Sequence, residues 1–224
     1  MTYFKTAQKF DKMKKTLFLL LSFAFLFTAC EDKDVTSTKG LIGTWIGTTQ
    51  VDEDETDMVC QFFAVEDSNT SGKYVEAISY YNEVEEYGIT YAIPYTVYVG
   101  GKFNVSNSYL KITYDTATVQ VLADTTAIRD YVMRVLEYDR EQGEQRYIDN
   151  DVEELIQNYT LGTNVDLSEL WAAVYNDSNN GKGDGFSDLQ VNEKKMSYVS
   201  ADMGKIEFKH SLKDMFDTYP IDDL

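Results

Sequence analysis

Between Gly88 and Val99, large side chains occupy every second position: Ile89, Tyr91, Ile93, Tyr95, Val97 and Val99, opposed by Thr90, Ala92, Pro94 and Thr96. A period of two is the period of a strand, and it turns the first set toward one face, the core side. Pro94 has no N–H for a ladder, so this strand lies at an edge or carries a bulge there. Eight other stretches share the same Tyr, Val, Ile, Thr and Phe enrichment: 41–48, 58–65, 73–81, 109–114, 118–122, 186–191, 195–200 and 205–210. Asp, Asn, Ser and Gly clusters separate them. Gly100-Gly101, Asn107-Ser108, Asn192-Glu193-Lys194 and Asp202-Met203-Gly204 read as turns or hairpin connections. Nine short sequential strands predict a mainly β, antiparallel barrel or sandwich.

The period changes once. Ile128, Tyr131, Val132, Val135 and Leu136 fall on one helical stripe, with Asp124 or Thr125 to cap it and Gly143 to end it. Asn150 with Glu153, and Asp166 with Glu169, each resemble a capping box ahead of a further stripe, the second containing Leu167, Leu170, Trp171 and Val174. Two or three helices are therefore expected as an insertion at about 125–176, packed on the sheet as a brace or as a lid.

At 43% apolar and 14% aromatic, the 224-residue chain is far from the composition of a disordered one. Its net charge of −18 would repel phosphates, so no nucleic-acid partner is expected. One histidine and two cysteines exclude a His-rich metal site, a zinc ribbon and a disulfide framework, and no metal or other cofactor is expected.

Residues 1–29 read as a signal peptide. Lys5, Lys9, Lys12, Lys14 and Lys15 precede the apolar run Thr16–Ala29, with Met13 as a second candidate start. Fourteen residues make about 21 Å of helix, short of the roughly 30 Å hydrocarbon core. Phe27-Thr28-Ala29-Cys30 resembles the lipobox of bacterial lipoproteins, which implies acylation of Cys30, palmitate included. Glu31-Asp32-Lys33-Asp34 resembles the acidic signal that sends some Gram-negative lipoproteins to the cell surface. The expectation is an outer-membrane, cell-surface lipoprotein with a polar tether over 30–39 and one β domain over 40–224. Cleavage before Cys30 removes five lysines and one aspartate from 20 bases and 38 acids, leaving −22 over 195 residues. So acidic a surface leaves membrane attachment to the acyl chains. Cys60 is then alone and reads as a small buried residue.

Leu41-Ile42-Gly43-Thr44-Trp45 carries the Gly-x-Trp that opens the first strand of lipocalins. With the lipobox, the tether and the strands over 40–123 and 185–210, the chain resembles lipocalin-like domains of small Gram-negative lipoproteins. The resemblance implies an eight-stranded barrel whose closed end is plugged by Trp45 beside Gly43. Lipocalins stack a late arginine on that tryptophan; no Arg follows Arg146 here, leaving Lys205 and Lys209 as poor stand-ins. The fold expectation is an antiparallel lipocalin-like β-barrel with a helical insertion, a β-sandwich being the alternative.

Chemistry is sparse. Asn176–Asp184 has the Asx spacing of a calcium loop, but position twelve is Ser187 rather than a bidentate Glu, so a polar loop is the better reading. The acids of Asp52–Asp57 read as a solvated hairpin connection. His210 shares parity with Ile206 and Phe208 and should point inward near a strand end. There is no phosphate loop, nucleophile elbow or metalloprotease motif, so no catalytic residue is named and an enzyme is not expected. Two functions stay open. In one, the barrel binds a small apolar or glycan-like ligand, with Tyr91 and Tyr95 meeting Phe62 or Phe63 in the interior. In the other, the core is filled and the protein is an interaction or structural lipoprotein. A ligand-sized void separates them.

Overall fold

The computed structural model describes residues 35–51, 54–143, 151–180, 184–201 and 204–212. Cys30 and the expected signal peptide lie outside these residues. The described residues form a closed antiparallel barrel of eight strands: β1 (Gly43–Val51), β2 (Asp54–Val65), β3 (Ser68–Glu86), β4 (Ile89–Ser106), β5 (Tyr109–Ala123), β6 (Asp184–Val191), β7 (Lys195–Ser200) and β8 (Gly204–Ser211). Each strand pairs with its neighbours in chain order, and β8 returns to β1 through Thr44↔Ser211 to Gly47↔Phe208. Helices α1 (Thr125–Gln142) and α2 (Val152–Asn180) lie between β5 and β6. This is the lipocalin-like barrel with a helical insertion.

Eight strands replace nine because 109–114 and 118–122 are one strand. Its pairing to β4 jumps from Gly100↔Asp115 to Tyr98↔Gln120, so the polar residues between are a bulge, not a turn. Thr118 Oγ1 closes the bulge, donating to Asp115 O (2.7 Å) and accepting from Gly100 N (2.8 Å). Gly100-Gly101 is accordingly inside β4 rather than at a turn: a Cβ on Gly101 would lie 2.3 Å from Thr113 O. The Asn107-Ser108 turn is as expected, both residues having positive φ.

Alternation along β1–β8 places Trp45, Cys60, Phe62, Tyr74, Val97, Val99, Phe103, Leu110, Ile112, Tyr198 and Phe208 in one interior cluster. The half of the barrel where β1 begins is filled: Phe62 meets Tyr74 at 5.0 Å and Phe103 at 4.9 Å between ring centroids. Residues 35–40 belong to this body, because Val35 and Ser108 exchange hydrogen bonds and Thr38 is buried.

The β3–β4 hairpin outgrows the barrel. Beyond Ile78, β3 has only β4 beside it, as far as Glu86↔Ile89. α1 lies on this ribbon, burying Ile128, Tyr131, Val132 and Val135 against Ile93, Val84 and Tyr91. Asp124 caps α1, its carboxylate accepting from Ala127 N at 2.9 Å, and Gly143 ends it in the left-handed region. Asp124 N donates to Pro94 O (2.8 Å), so Pro94 sits where β4 is an edge, as its missing donor requires.

α2 is one helix of 29 residues, about 43 Å, where two shorter ones were in prospect. At its start the Asp151 carboxylate accepts from Glu153 N; Asn150, the expected cap, lies outside the described residues. The box at Asp166 starts nothing, because its neighbours have other work. β5 and β6 share only three residue pairs, Leu110↔Phe186 to Ile112↔Asp184, so the remainder of β5 lacks a strand on that side. α2 supplies the missing partners. Asn164 Oδ1 accepts from Ala123 N (2.8 Å) and Ser168 Oγ from Val121 N (3.0 Å). Asn179 makes a pair with Tyr114, accepting from its N–H (3.0 Å) and donating to its carbonyl (2.7 Å). Backbone groups that a barrel wall would otherwise leave bare are satisfied by helix side chains. Asn176–Asn180, expected as part of a loop, is the last turn of this helix.

Candidate ligand cavity

Above the filled half, the interior holds a cavity of about 230 Å³. Met58 on β2 and Glu76, Ile78 and Tyr80 on β3 form one wall. Tyr114, Asp184, Phe186, Tyr198 and Ser200, from β5, β6 and β7, form the other. α2 roofs it with Trp171, Tyr175 and Ser178, which fall on one helix face at spacings of four and three. The roof is aromatic: Trp171 lies 4.6 Å from the Tyr80 ring and 6.0 Å from Tyr175, and Tyr175 lies 4.6 Å from Tyr114.

Glu76 is the chemical centre. It is 2% exposed and shares strand parity with Tyr74, Ile78 and Tyr80, so the barrel turns its carboxyl inward. Tyr74 donates to Oε2 at 2.6 Å and Tyr175 to Oε1 at 2.8 Å. Burial disfavours the charged form and pushes its pKa from 4.5 to about 7. The hydroxyls of Tyr74, Tyr175 and Tyr114 pull it down, while Asp184 pushes it up further. The same burial, reinforced by Glu76, raises the phenols of Tyr74, Tyr114 and Tyr175 and the thiol of the free, buried Cys60. No lysine, arginine or histidine lines the cavity among the described residues. Nor do those residues hold a group of three side chains suited to a metal ion. The result is a small chamber with aromatic faces, hydroxyls, and one carboxyl that exchanges its proton near neutrality.

The residues named from sequence are distributed differently. Tyr95 stacks on Tyr80 (5.8 Å) and accepts from Trp171 Nε1 (3.3 Å), which places it at the edge of the aromatic roof. Tyr91 lies outside the barrel, edge-on to Tyr131 of α1 at 5.1 Å. Phe62 is part of the filled half, and Phe63 belongs to an outer-face cluster around Val75. These rings are not brought together. Glu76, Tyr114 and Tyr175 were missed, although one signal was available: a carboxylate in phase with Tyr74, Ile78 and Tyr80 on a strand.

Gly43 and Trp45 lie where β1 begins. Trp45 is buried, donates from Nε1 to Leu41 O (2.7 Å), and meets the His210 ring edge-on at 4.9 Å. His210 pairs with Trp45 across β1 and β8, so it occupies the place for which Lys205 and Lys209 had been candidates. Gly43, at φ +130°, fits because a Cβ there would lie 2.7 Å from His210 Nε2. An open depression of about 520 Å³ outside this end, bordered by Lys39, Trp45, Glu193 and His210, is larger than the interior cavity. It lacks the enclosure and buried polar group of a built site.

No protein-family model matches the chain, and comparison with curated proteins finds no match. Among the described residues, no helix is long and apolar enough to cross a membrane.

Proposed function

We propose that this chain is a lipocalin-like lipoprotein of the Gram-negative cell envelope, anchored through Cys30 at the outer membrane and exposed at the cell surface. Its barrel binds a small ligand beneath α2 and carries out no catalysis. The single observation supporting binding is the partly open cavity of about 230 Å³ with a buried carboxyl facing aromatic rings. That volume is below the roughly 300–1,000 Å³ of drug-sized pockets. It equals seven or eight waters at about 30 Å³ each. A steroid or a long acyl chain is too large; a compact molecule with an apolar body and a polar group fits.

Anchoring is tested by fatty-acid labelling of cells expressing the full chain. Cys30→Ser should abolish labelling and release the protein from membranes, and label surviving the change refutes the anchor. Binding is tested by tryptophan fluorescence against small aromatic, sugar and amine compounds. Trp171 lines the cavity, while the only other tryptophan, Trp45, is buried in the filled half. A saturable change that disappears in Ser200→Leu, which narrows the cavity, supports the reading. Absence of any saturable change returns the protein to the filled-core interaction class.

A further inference from the structure

We propose that the cavity beneath α2 selects a small organic cation, an amine or quaternary ammonium, held between the Trp171, Tyr80 and Tyr175 rings and the Glu76 carboxylate. This rests on the reading of the cavity as a ligand site and names the ligand's class.

The lining has one sign. Glu76 and Asp184 are its two ionisable acids, and no basic side chain accompanies them among the described residues. An anion would enter against the Glu76 carboxylate and against the negative faces of the rings. A sugar needs donors and acceptors in balance, yet the Tyr74 and Tyr175 hydroxyls already donate to Glu76. A cation needs neither. It is attracted by the faces of aromatic rings, and Trp171, 4.6 Å from the Tyr80 ring and 6.0 Å from Tyr175, makes the roof of this cavity a run of three such rings. Beneath that roof Glu76 supplies the opposite charge, already oriented by two phenol donors. The excess of acids over bases in the whole chain draws cations toward the barrel before contact.

A proton follows from this geometry. The groups that bear on Glu76 are Tyr74 on its own strand, Cys60 on β2, Tyr114 on β5, Asp184 on β6, Tyr198 on β7 and Tyr175 on α2. None is cationic, and burial keeps the carboxyl mostly neutral below about pH 7 and mostly ionised above it. A cation takes the ionised form and displaces the proton to solvent; one charge enters and one leaves. The competent fraction rises from about 9% at pH 6 to about 91% at pH 8, so apparent affinity rises about tenfold.

The experiment is calorimetric titration of the full chain, in a nonionic polyoxyethylene detergent, with choline chloride. 3,3-Dimethylbutan-1-ol, its neutral carbon isostere, and methyl glucoside are the comparison ligands, at pH 6, 7 and 8. Choline should bind at least about tenfold more tightly than the isostere at pH 8. It should tighten about tenfold from pH 6 to 8 and release a proton at pH 6. Glu76→Gln should remove the preference and the pH dependence. Trp171→Leu, which leaves Glu76 and its two phenol donors in place, should weaken choline more than the isostere. Equal or tighter binding of the isostere or glucoside overturns the cation while leaving the cavity a ligand site. If none of the three binds, the cation inference falls; if the fluorescence panel is also silent, the ligand-site reading falls with it.

Discussion

Replacing Glu76 with glutamine should change how stability depends on pH, and by an amount the structure sets. The folded carboxyl titrates at about 7 against an ordinary value of 4.5, chiefly because burial penalises its charge. The folded value is the higher one, so the folded protein binds this proton more tightly than the unfolded chain. The resulting stability is fully present below about pH 4.5 and is lost as pH rises through about 7. A gap of about 2.5 pH units corresponds to about 3 kcal/mol, of which about 2 kcal/mol disappears between pH 5.5 and pH 8. Glutamine keeps the shape and one acceptor but has no proton to lose. Urea unfolding of both proteins at several pH values between 5.5 and 8.5 gives two stability profiles. Their difference isolates position 76, because the remaining carboxylates are shared. The variant should gain about 2 kcal/mol on the parent across that range. A difference that stays constant within about 0.5 kcal/mol would refute both the burial of the charge and its consequence.

Gly43→Ala should destabilise the barrel by about 1–3 kcal/mol, measured by urea unfolding, through strained backbone and a clash with His210. Adding His210→Ala should recover only part of the loss, since φ stays at +130°; full recovery would show the backbone carries no strain. Asn179→Ala should cost about 2 kcal/mol by leaving both backbone groups of Tyr114 without their partner. A cost near zero would mean water replaces the helix there. Amide exchange of Tyr114, Val121 and Ala123 should be as slow as that of the barrel ladders, because α2 holds these N–H groups. Fast exchange confined to those three would identify α2 as a mobile lid.

Local periodicity carried the fold a long way. The alternation through Ile93, Val97 and Val99 does place those residues in cores, and the stripe through Ile128, Tyr131, Val132 and Val135 is the buried face of α1. The misreadings share a cause, which is that tertiary partners reassign polar residues. Asp115, Thr116 and Ala117 look like a break between two strands, but β4 lies opposite them and makes the break a bulge. Asp166 and Glu169 look like a helix start, but a bare stretch of β5 is bonded by Asn164 and Ser168 on either side of Asp166, and the helix runs on. The site was harder to see for a related reason. Tyr91 and Tyr95 share one face of β4, but the hairpin outgrows the barrel, so the same face is interior at Val97 and helix-covered at Tyr91. No pattern within the strand announces where the barrel ends. Glu76 is legible in the sequence as a charge in phase with Tyr74, Ile78 and Tyr80.

What separates the two halves of the barrel is the use made of aromatic side chains. In the lower half Phe62 meets Tyr74 and Phe103 ring against ring. In the upper half Tyr80, Tyr114, Trp171 and Tyr175 are just as close to one another, yet they enclose space around a carboxyl that has no basic partner. For stability alone that choice is unfavourable twice over. The void forfeits packing, and the buried acid carries a desolvation penalty that an apolar residue of similar size would remove. Nor does the barrel need the void for closure, because Asn164, Ser168 and Asn179, interleaved with Trp171, Tyr175 and Ser178 on one stripe of the roof helix, seal the β5–β6 gap by their own hydrogen bonds. Sealing and roofing are thus done by different side chains of one helix, and only the roofing set borders the cavity. Sites where a chain departs from close packing and from apolar burial are where function is to be sought. In this barrel both departures fall at Glu76.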